Sequence, residues 1–306
     1  MTGRLFSPGK LLLTSEYTVL DGALALALPT KWGQEFLFEE TEDGKCTVFW
    51  EAYHQDQPWL QTEISYADWQ IVSANLPHAA EFILNVLKNT AKLSVSKFKS
   101  KTSYRLRTNL QFPANFGLGS SSTLMNNLAE WAEIDAYQLN EISLGGSGYD
   151  VAVAKEKSAV LYQIVGGERQ VQKIIFNPEF KDELIFIHLN QKQDSREGIE
   201  LYRSLPRYKL LISWFSDLTE TVIKTDDYKT FSELMEAHEQ KLSNTLLIKT
   251  VKEKYFADCP VFVKSLGAWG GDFVLSAKFE GYESYFEQRG FTTVFQWDEI
   301  MASSSV

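Results

Sequence analysis

The chain has 306 residues, 44% of them hydrophobic, and 40 acidic against 30 basic side chains leave a formal net charge of −10. That length suggests about two ordinary domains with a real core, and acidity without a basic stripe argues against a nucleic-acid partner. Cys46 and Cys259 are far apart and have no zinc or disulfide spacing, which fits a reducing cytoplasm. Glu16 and Asp21 interrupt the apolar residues near the N-terminus, so no signal peptide is expected. No apolar run approaches the roughly 18 residues of a membrane span. The expectation is a cytoplasmic protein with no membrane partner.

In chain order, residues 3–13 and 17–28 read as strands, with Ser7-Pro8-Gly9 breaking the first and Asp21-Gly22 signalling a hairpin. Residues 34–39 and 45–53 alternate apolar and polar and read as further strands, while 59–71 stay ambiguous. Ala80, Ile83, Leu84 and Leu87 predict a helix over 77–91. In 103–111, Tyr104, Leu106 and Thr108 alternate with Arg105 and Arg107, which predicts a strand. Leu124, Leu128 and Trp131 mark the buried face of a helix to about residue 138, with Asn126, Asn127, Glu130 and Glu133 mostly on its other side. A short helix is expected at 150–156, then strands near 158–164, 170–176 and 184–189. Helices at 196–204, 207–224 and 227–248 precede strands at 261–265 and 272–277, a helix at 279–288 and a strand at 291–295. A strand-rich half followed by a helix-rich half predicts an α+β protein of two domains, 1–175 and 176–306.

The most informative stretch is Pro113-Ala114-Asn115-Phe116-Gly117-Leu118-Gly119-Ser120-Ser121-Ser122-Thr123. A glycine-rich turn that runs into a helix start suits a phosphate chain, because glycines let the backbone approach a ligand and the first helical N–H groups point at it. On its own the same stretch reads equally as a loop with a serine N-cap. It lacks the Gly-Lys-Ser/Thr ending of the common phosphate loop, so positive charge must come from elsewhere. Two further glycine-rich turns, Gly145-Gly146-Ser147-Gly148-Tyr149-Asp150 and Gly267-Ala268-Trp269-Gly270-Gly271, also adjoin regular elements.

Together with Ser7-Pro8-Gly9-Lys10 and Ser15-Glu16-Tyr17-Thr18-Val19-Leu20-Asp21-Gly22, these motifs resemble the GHMP kinase superfamily, in the expected order from residue 4 to about 277. The Glu-Tyr-x-Val-Leu-x-Gly form is similar to mevalonate and phosphomevalonate kinases, and Gly148-Tyr149-Asp150-Val151-Ala152 resembles the bacterial GYDIA branch. The resemblance implies a two-lobed GHMP kinase fold, with an N-terminal ribosomal-protein-S5-domain-2-like lobe and a C-terminal ferredoxin-like lobe. It implies ATP and Mg²⁺ as cofactors and phosphoryl transfer to a small-molecule alcohol, mevalonate first. Phosphomevalonate, a diphosphomevalonate decarboxylase reaction and a catalytically inactive binding protein are the alternatives. A monomer or homodimer is expected.

By the same resemblance, Asp150 is the catalytic base and Lys10 the catalytic lysine. Asn115, Gly117, Leu118, Gly119, Ser120, Ser121 and Ser122 hold the phosphates, and Ser121 and Glu141 ligate Mg²⁺. Glu16, Tyr17, Ser147, Tyr149, Ser195, Gly267 and Ala268 line the substrate site. Read alone, Asp150 is also a first-turn helix carboxylate, Lys10 a surface lysine, Glu16 and Tyr17 strand supports, and Glu141 an exposed helix-end residue. His238 reads as structural or exposed. Three positions depart from the family pattern: Ser15 replaces a glycine, Ser122-Thr123 replaces two alanines, and Trp269 takes the middle place of the third turn, where it could reshape or cover the phosphate cleft.

Overall fold

The computed structural model describes residues 1–191, 195–206, 208–267, 269 and 271–302. Two units are interleaved along the chain: Met1–Gly9, Trp32–Ala114 and Gly119–Lys157 form the first, and Lys10–Lys31, Asn115–Leu118 and Ser158–Val306 the second. Each is thus assembled from three segments, whereas the sequence reading places one boundary at residue 175.

The first unit contains most of β1 (Thr2–Leu12), the later part of β2 (Ala25–Thr41), β3 (Thr47–His54), β4 (Gln57–Ser65), β5 (Gln70–Ala74), α1 (Pro77–Leu93) and β6 (Ser103–Leu110). Three helices follow, α2 (Ser120–Ala132), α3 (Ala136–Ser143) and α4 (Tyr149–Glu156). Its strands lie in the order β5-β4-β3-β6-β2, with β3 and β6 parallel, and β1 pairs with β2. Pro8 does not break β1 as expected. Among the described strands β1 pairs only with β2, and such an edge tolerates a residue without an N–H. The alternation read at 103–110 is observed, with Tyr104, Leu106 and Thr108 buried and both arginines exposed. Tyr104 and Leu106 pack with Phe36 and Trp50 against Ile83 and Leu87 of α1 and Leu124, Leu128 and Trp131 of α2.

Helix α2 differs from its expected amphipathic form. Asn126 and Asn127 are buried, because each finds polar partners inside the unit. The Ser7 hydroxyl donates to Asn127 Oδ1 (2.8 Å), and Asn127 Nδ2 donates to the Gln34 carbonyl (3.0 Å). Asn126 Nδ2 donates to Ser7 Oγ (2.9 Å) and to the Ala154 carbonyl (3.3 Å), joining α2 to α4. The helix also stops early. Glu133 turns left-handed at φ 55°, and Asp135 caps α3 by accepting the Gln138 N–H.

In the second unit the first part of β2 pairs with β7 (Ala159–Val165), which pairs with β8 (Glu168–Ile174). A four-stranded antiparallel sheet has the order β10-β11-β9-β12, from β9 (Leu184–His188), β10 (Val263–Leu266), β11 (Phe273–Ala277) and β12 (Val294–Gln296). Among the described residues six helices accompany it: α5 (Ser195–Ser204), α6 (Lys209–Val222), α7 (Tyr228–Leu246), α8 (Val251–Tyr255), α9 (Tyr282–Glu287) and α10 (Trp297–Ile300). The expected strand at 17–28 begins only at Ala25. Residues 18–21 form a single 3₁₀ turn instead, because Ser15 (φ 67°) and Tyr17 (φ 60°) leave the extended region.

The buried Ser7–Asn127–Gln34 bonds generate a test. Replacing Asn127 with Ala strands at least one partner, at a cost of about 1–3 kcal/mol. Urea unfolding should show a lower midpoint with an unchanged slope.

Candidate functional site

Gly117 (φ 68°) and Gly119 (φ 86°) take left-handed conformations on either side of the buried Leu118. Gly119 caps α2, whose first cross-turn bond is Thr123 N–H to the Gly119 carbonyl (3.1 Å). The N–H groups of Ser120, Ser121 and Ser122 come before that bond and have no partner within the helix. Such a helix start in the first unit has the N–H groups and dipole that suit an anion. The three serines differ: the Ser122 hydroxyl is buried and donates to the Gly119 carbonyl (2.9 Å), bracing the turn, whereas Ser121 is exposed.

Asp150 also stands at a helix start in this unit. Gly148 caps α4 at φ 90°, and the half-buried Asp150 carboxylate accepts the Val151 N–H (3.0 Å). Ser147 is buried, Tyr149 is half-buried, and Glu141 is exposed on α3. Among the described residues, no group of three or more His, Cys, Asp or Glu side chains is placed to hold a metal. Two polar clefts of about 380 and 360 Å³ lie over the sheet of this unit, and neither includes a candidate residue.

The second unit carries Lys10 and the first half of the glycine loop. Lys10 Nζ donates to the Gly117 carbonyl (2.8 Å), and its backbone N–H donates to the Leu118 carbonyl (2.9 Å). Asn115 is exposed, and its carbonyl lies 3.3 Å from Nε2 of the buried His188. A Cβ on Gly117 would fall 2.0 Å from Asp272 Oδ2, so glycine is required by contact as well as by φ. Asp272 itself is held at φ 53°, with its N–H on the Gln191 carbonyl and its carbonyl accepting the Leu189 N–H. Neither Asp272 nor His188 stood out in the sequence as part of this loop.

Glu16 and Tyr17, expected to line the substrate site, are both buried. Glu16 is 1% exposed, and its Oε1 accepts from Lys264 Nζ at 2.6 Å. Burial pushes the Glu16 carboxyl upward, but the Lys264 ammonium beside it outweighs burial and the net shift is downward, so Glu16 is ionised. His238 Nε2 accepts the Ser15 N–H (2.9 Å), and burial drives its pKa down to about 4. It is therefore a neutral imidazole, and its 3.0 Å approach to Glu16 Oε2 is not an ion pair at neutral pH. Glu239 completes the cluster 3.7 Å from Lys264, and burial raises its pKa to about 8. His238 is structural, as its sequence reading allowed. Lys264 and Glu239 were missed, although a lysine in the apolar run Val261-Phe262-Val263-Lys264 asks for a buried carboxylate.

Tyr17 is also buried, and its hydroxyl accepts the Trp269 N–H (2.9 Å). Burial pushes its pKa up to about 12. Trp269 does not cover the phosphate loop as the sequence allowed: its indole is buried with Tyr17, Tyr202 and Phe215 and donates to the Lys249 carbonyl (3.3 Å). Gly267 precedes it at φ 76°. Ala268 lies outside the described residues, and of Ser195 only the backbone, at the start of α5, is described.

Two tests follow. Gly117→Ala should abolish binding of an ATP analogue, measured by calorimetry, whereas Gly145→Ala, at a similar φ of 77° with nothing within 4 Å, should retain it. The second concerns pH. Glu239 has a folded pKa above that of the unfolded chain, so the native state holds the extra proton and stability falls as pH rises toward about 8. His238 has the opposite sign and loses stability only as pH falls from about 6.5 to about 4. Between pH 6.5 and 8 the Glu239 effect stands alone, with a slope of at most ~1.4 kcal/mol per pH unit. Urea midpoints should fall across that window in the wild type and flatten in Glu239→Gln.

No protein-family model matches the chain, and no curated protein matches it in sequence. Solved structures do. L. major mevalonate kinase in complex with R-mevalonate superposes with a TM-score of 0.67 at 14% identity, covering 100% of this chain and 98% of that one. Streptococcus pneumoniae phosphomevalonate kinase with phosphomevalonate and AMPPNP gives 0.67 at 15%, covering 96% and 99%. Lactococcus lactis galactokinase complexed with galactose gives 0.65 at 12%, covering 99% and 94%. With a mixed α+β architecture matched over nearly its whole length, the chain has the fold of the GHMP kinases.

Proposed function

We propose that this protein is an ATP-dependent kinase that phosphorylates the hydroxyl of a small metabolite, with mevalonate the first candidate acceptor and a place in isoprenoid biosynthesis. The observation that carries the reading is the left-handed Gly117-Leu118-Gly119 turn opening onto the first turn of α2. Its unpaired N–H groups and dipole fit a phosphate chain, and Ser121 offers an exposed hydroxyl for the accompanying Mg²⁺. When bound, Mg-ATP supplies the phosphoryl group and neutralises part of its charge.

The protein's own residues have separable roles. The α2 N–H groups hold phosphate oxygens, and Lys10, anchored on the Gly117 carbonyl, supplies the positive charge that the loop itself lacks. The Asp150 carboxylate takes the proton of the acceptor hydroxyl as that oxygen forms its bond to phosphorus and ADP leaves. Ser122 braces the turn from inside. Phosphomevalonate is the second candidate, because its kinase superposes as well as the mevalonate kinase.

A coupled ADP-release assay over mevalonate, phosphomevalonate, homoserine and galactose tests the reading. Turnover with at least one acceptor is expected, and Asp150→Ala should lower kcat by about 10²-fold or more while leaving ATP-analogue binding intact. Wild-type protein that binds ATP but turns over no alcohol would instead be a binding protein on this fold.

A further inference from the structure

Three segments that the sequence assigned to the substrate site meet at one side chain, Tyr17. Its hydroxyl accepts the backbone N–H of Trp269, in the third glycine turn. Its ring stacks on Tyr202 of α5 (centroids 6.1 Å apart), and a Cβ on Gly198 of the same helix would fall 2.2 Å from the Tyr17 hydroxyl. Tyr202 returns to the first motif by donating to Asp21 (2.7 Å). Tyr17 is 7% exposed, so little of it is left to touch a ligand.

The conformation of Tyr17 must be held in place. Tyr17 and Ser15 both have positive φ without being glycine, a strained conformation when unsupported. The support is beneath them. Glu16, between the two, is gripped by Lys264, and the Ser15 N–H is bonded to His238. The Ser15 hydroxyl donates to the Leu24 carbonyl (2.6 Å). Lys264 lies in β10, the strand that leads directly into the third glycine turn.

The geometry points to Tyr17, seated on the Glu16–Lys264 pair, as a positioning residue that fixes the start of α5 and the third glycine turn against the first motif and so sets affinity for the acceptor alcohol without contacting it. Its kinetic part rests on the phosphotransferase reading, and its structural part does not. The α2 N–H groups take no part in these contacts, so phosphate binding at that helix start should be unaffected.

Tyr17→Phe removes the acceptor of the Trp269 N–H, and Gly198→Ala presses on the same hydroxyl. A merely structural role predicts that both variants lower the urea midpoint and leave both KM values unchanged. The positioning role predicts that both variants raise the acceptor KM about tenfold, with the KM for ATP unchanged. Lys264→Met should do the same and Lys264→Arg should restore part of the loss. If Lys264→Met does not fold, the other two variants carry the test. Hydrogen exchange followed by mass spectrometry reads the structural part independently of turnover: in Tyr17→Phe, exchange should quicken in peptides spanning α5 and the third glycine turn and not in α2. Unchanged exchange in those peptides overturns the inference, and so does an equal rise in both KM values. Failure of the wild type to phosphorylate any alcohol would count against the kinase reading, with the exchange result still deciding whether Tyr17 holds these segments.

Discussion

A charge buried at position 16 constrains the second unit more than any other single feature. Removing a carboxylate from water costs several kcal/mol even after relaxation, and that cost is met only by close, well-oriented partners. Lys264 is such a partner, 248 positions along the chain, and it is as deeply buried as Glu16. Neither can move far without stranding the other. The pair therefore adds little net stability over an apolar pair of the same size, but it fixes which residues may lie side by side. What it fixes is a turn with two non-glycine residues at positive φ, next to a strand that ends in a glycine turn. Ser15 holds a glycine-like backbone because its N–H and hydroxyl are both bonded inside the protein.

The first unit reaches rigidity differently. Helix α2 is enclosed on nearly all sides, and its polar residues are satisfied rather than solvated. A helix tied by Asn126 to α4 and by Asn127 to β2 presents its first turn in one orientation. That matters for phosphate binding, because N–H groups aimed in advance lose little entropy when a ligand arrives. Ser122 extends the same logic into the loop by closing on the Gly119 carbonyl, which leaves Ser121 as the serine facing solvent.

The sequence made some of this readable and concealed the rest. Period-two alternation in β6 and helical spacing in α1 follow from which face each residue buries, and both came out as expected. The glycine loop was readable because its backbone conformations exclude most side chains. Asn126 and Asn127 were misplaced because polarity was taken as exposure, although a buried amide with partners is equally stable. The strand expected at 17–28 failed because tertiary bonds from His238, Thr219 and Lys264 hold a local conformation that propensity disfavours. Lys264 and Glu239 were invisible for the same reason: a long-range ion pair leaves no spacing pattern, only a charged residue in an apolar strand.

Trp269 shows how a departure from a motif can preserve its purpose. A glycine at that place would leave the third turn free to adopt many conformations, and the turn would lose that freedom on binding. Here the indole is locked into the core of the second unit and its N–H is spent on the Lys249 carbonyl, while its backbone N–H is spent on Tyr17. The side chain is packed in the core and anchors the backbone. Any acceptor that meets this turn then meets peptide groups in an orientation set by Tyr17 and Lys264. In the proposed kinase, discrimination among acceptors by shape and hydrogen bonding would depend on the buried supports as much as on the residues a ligand touches.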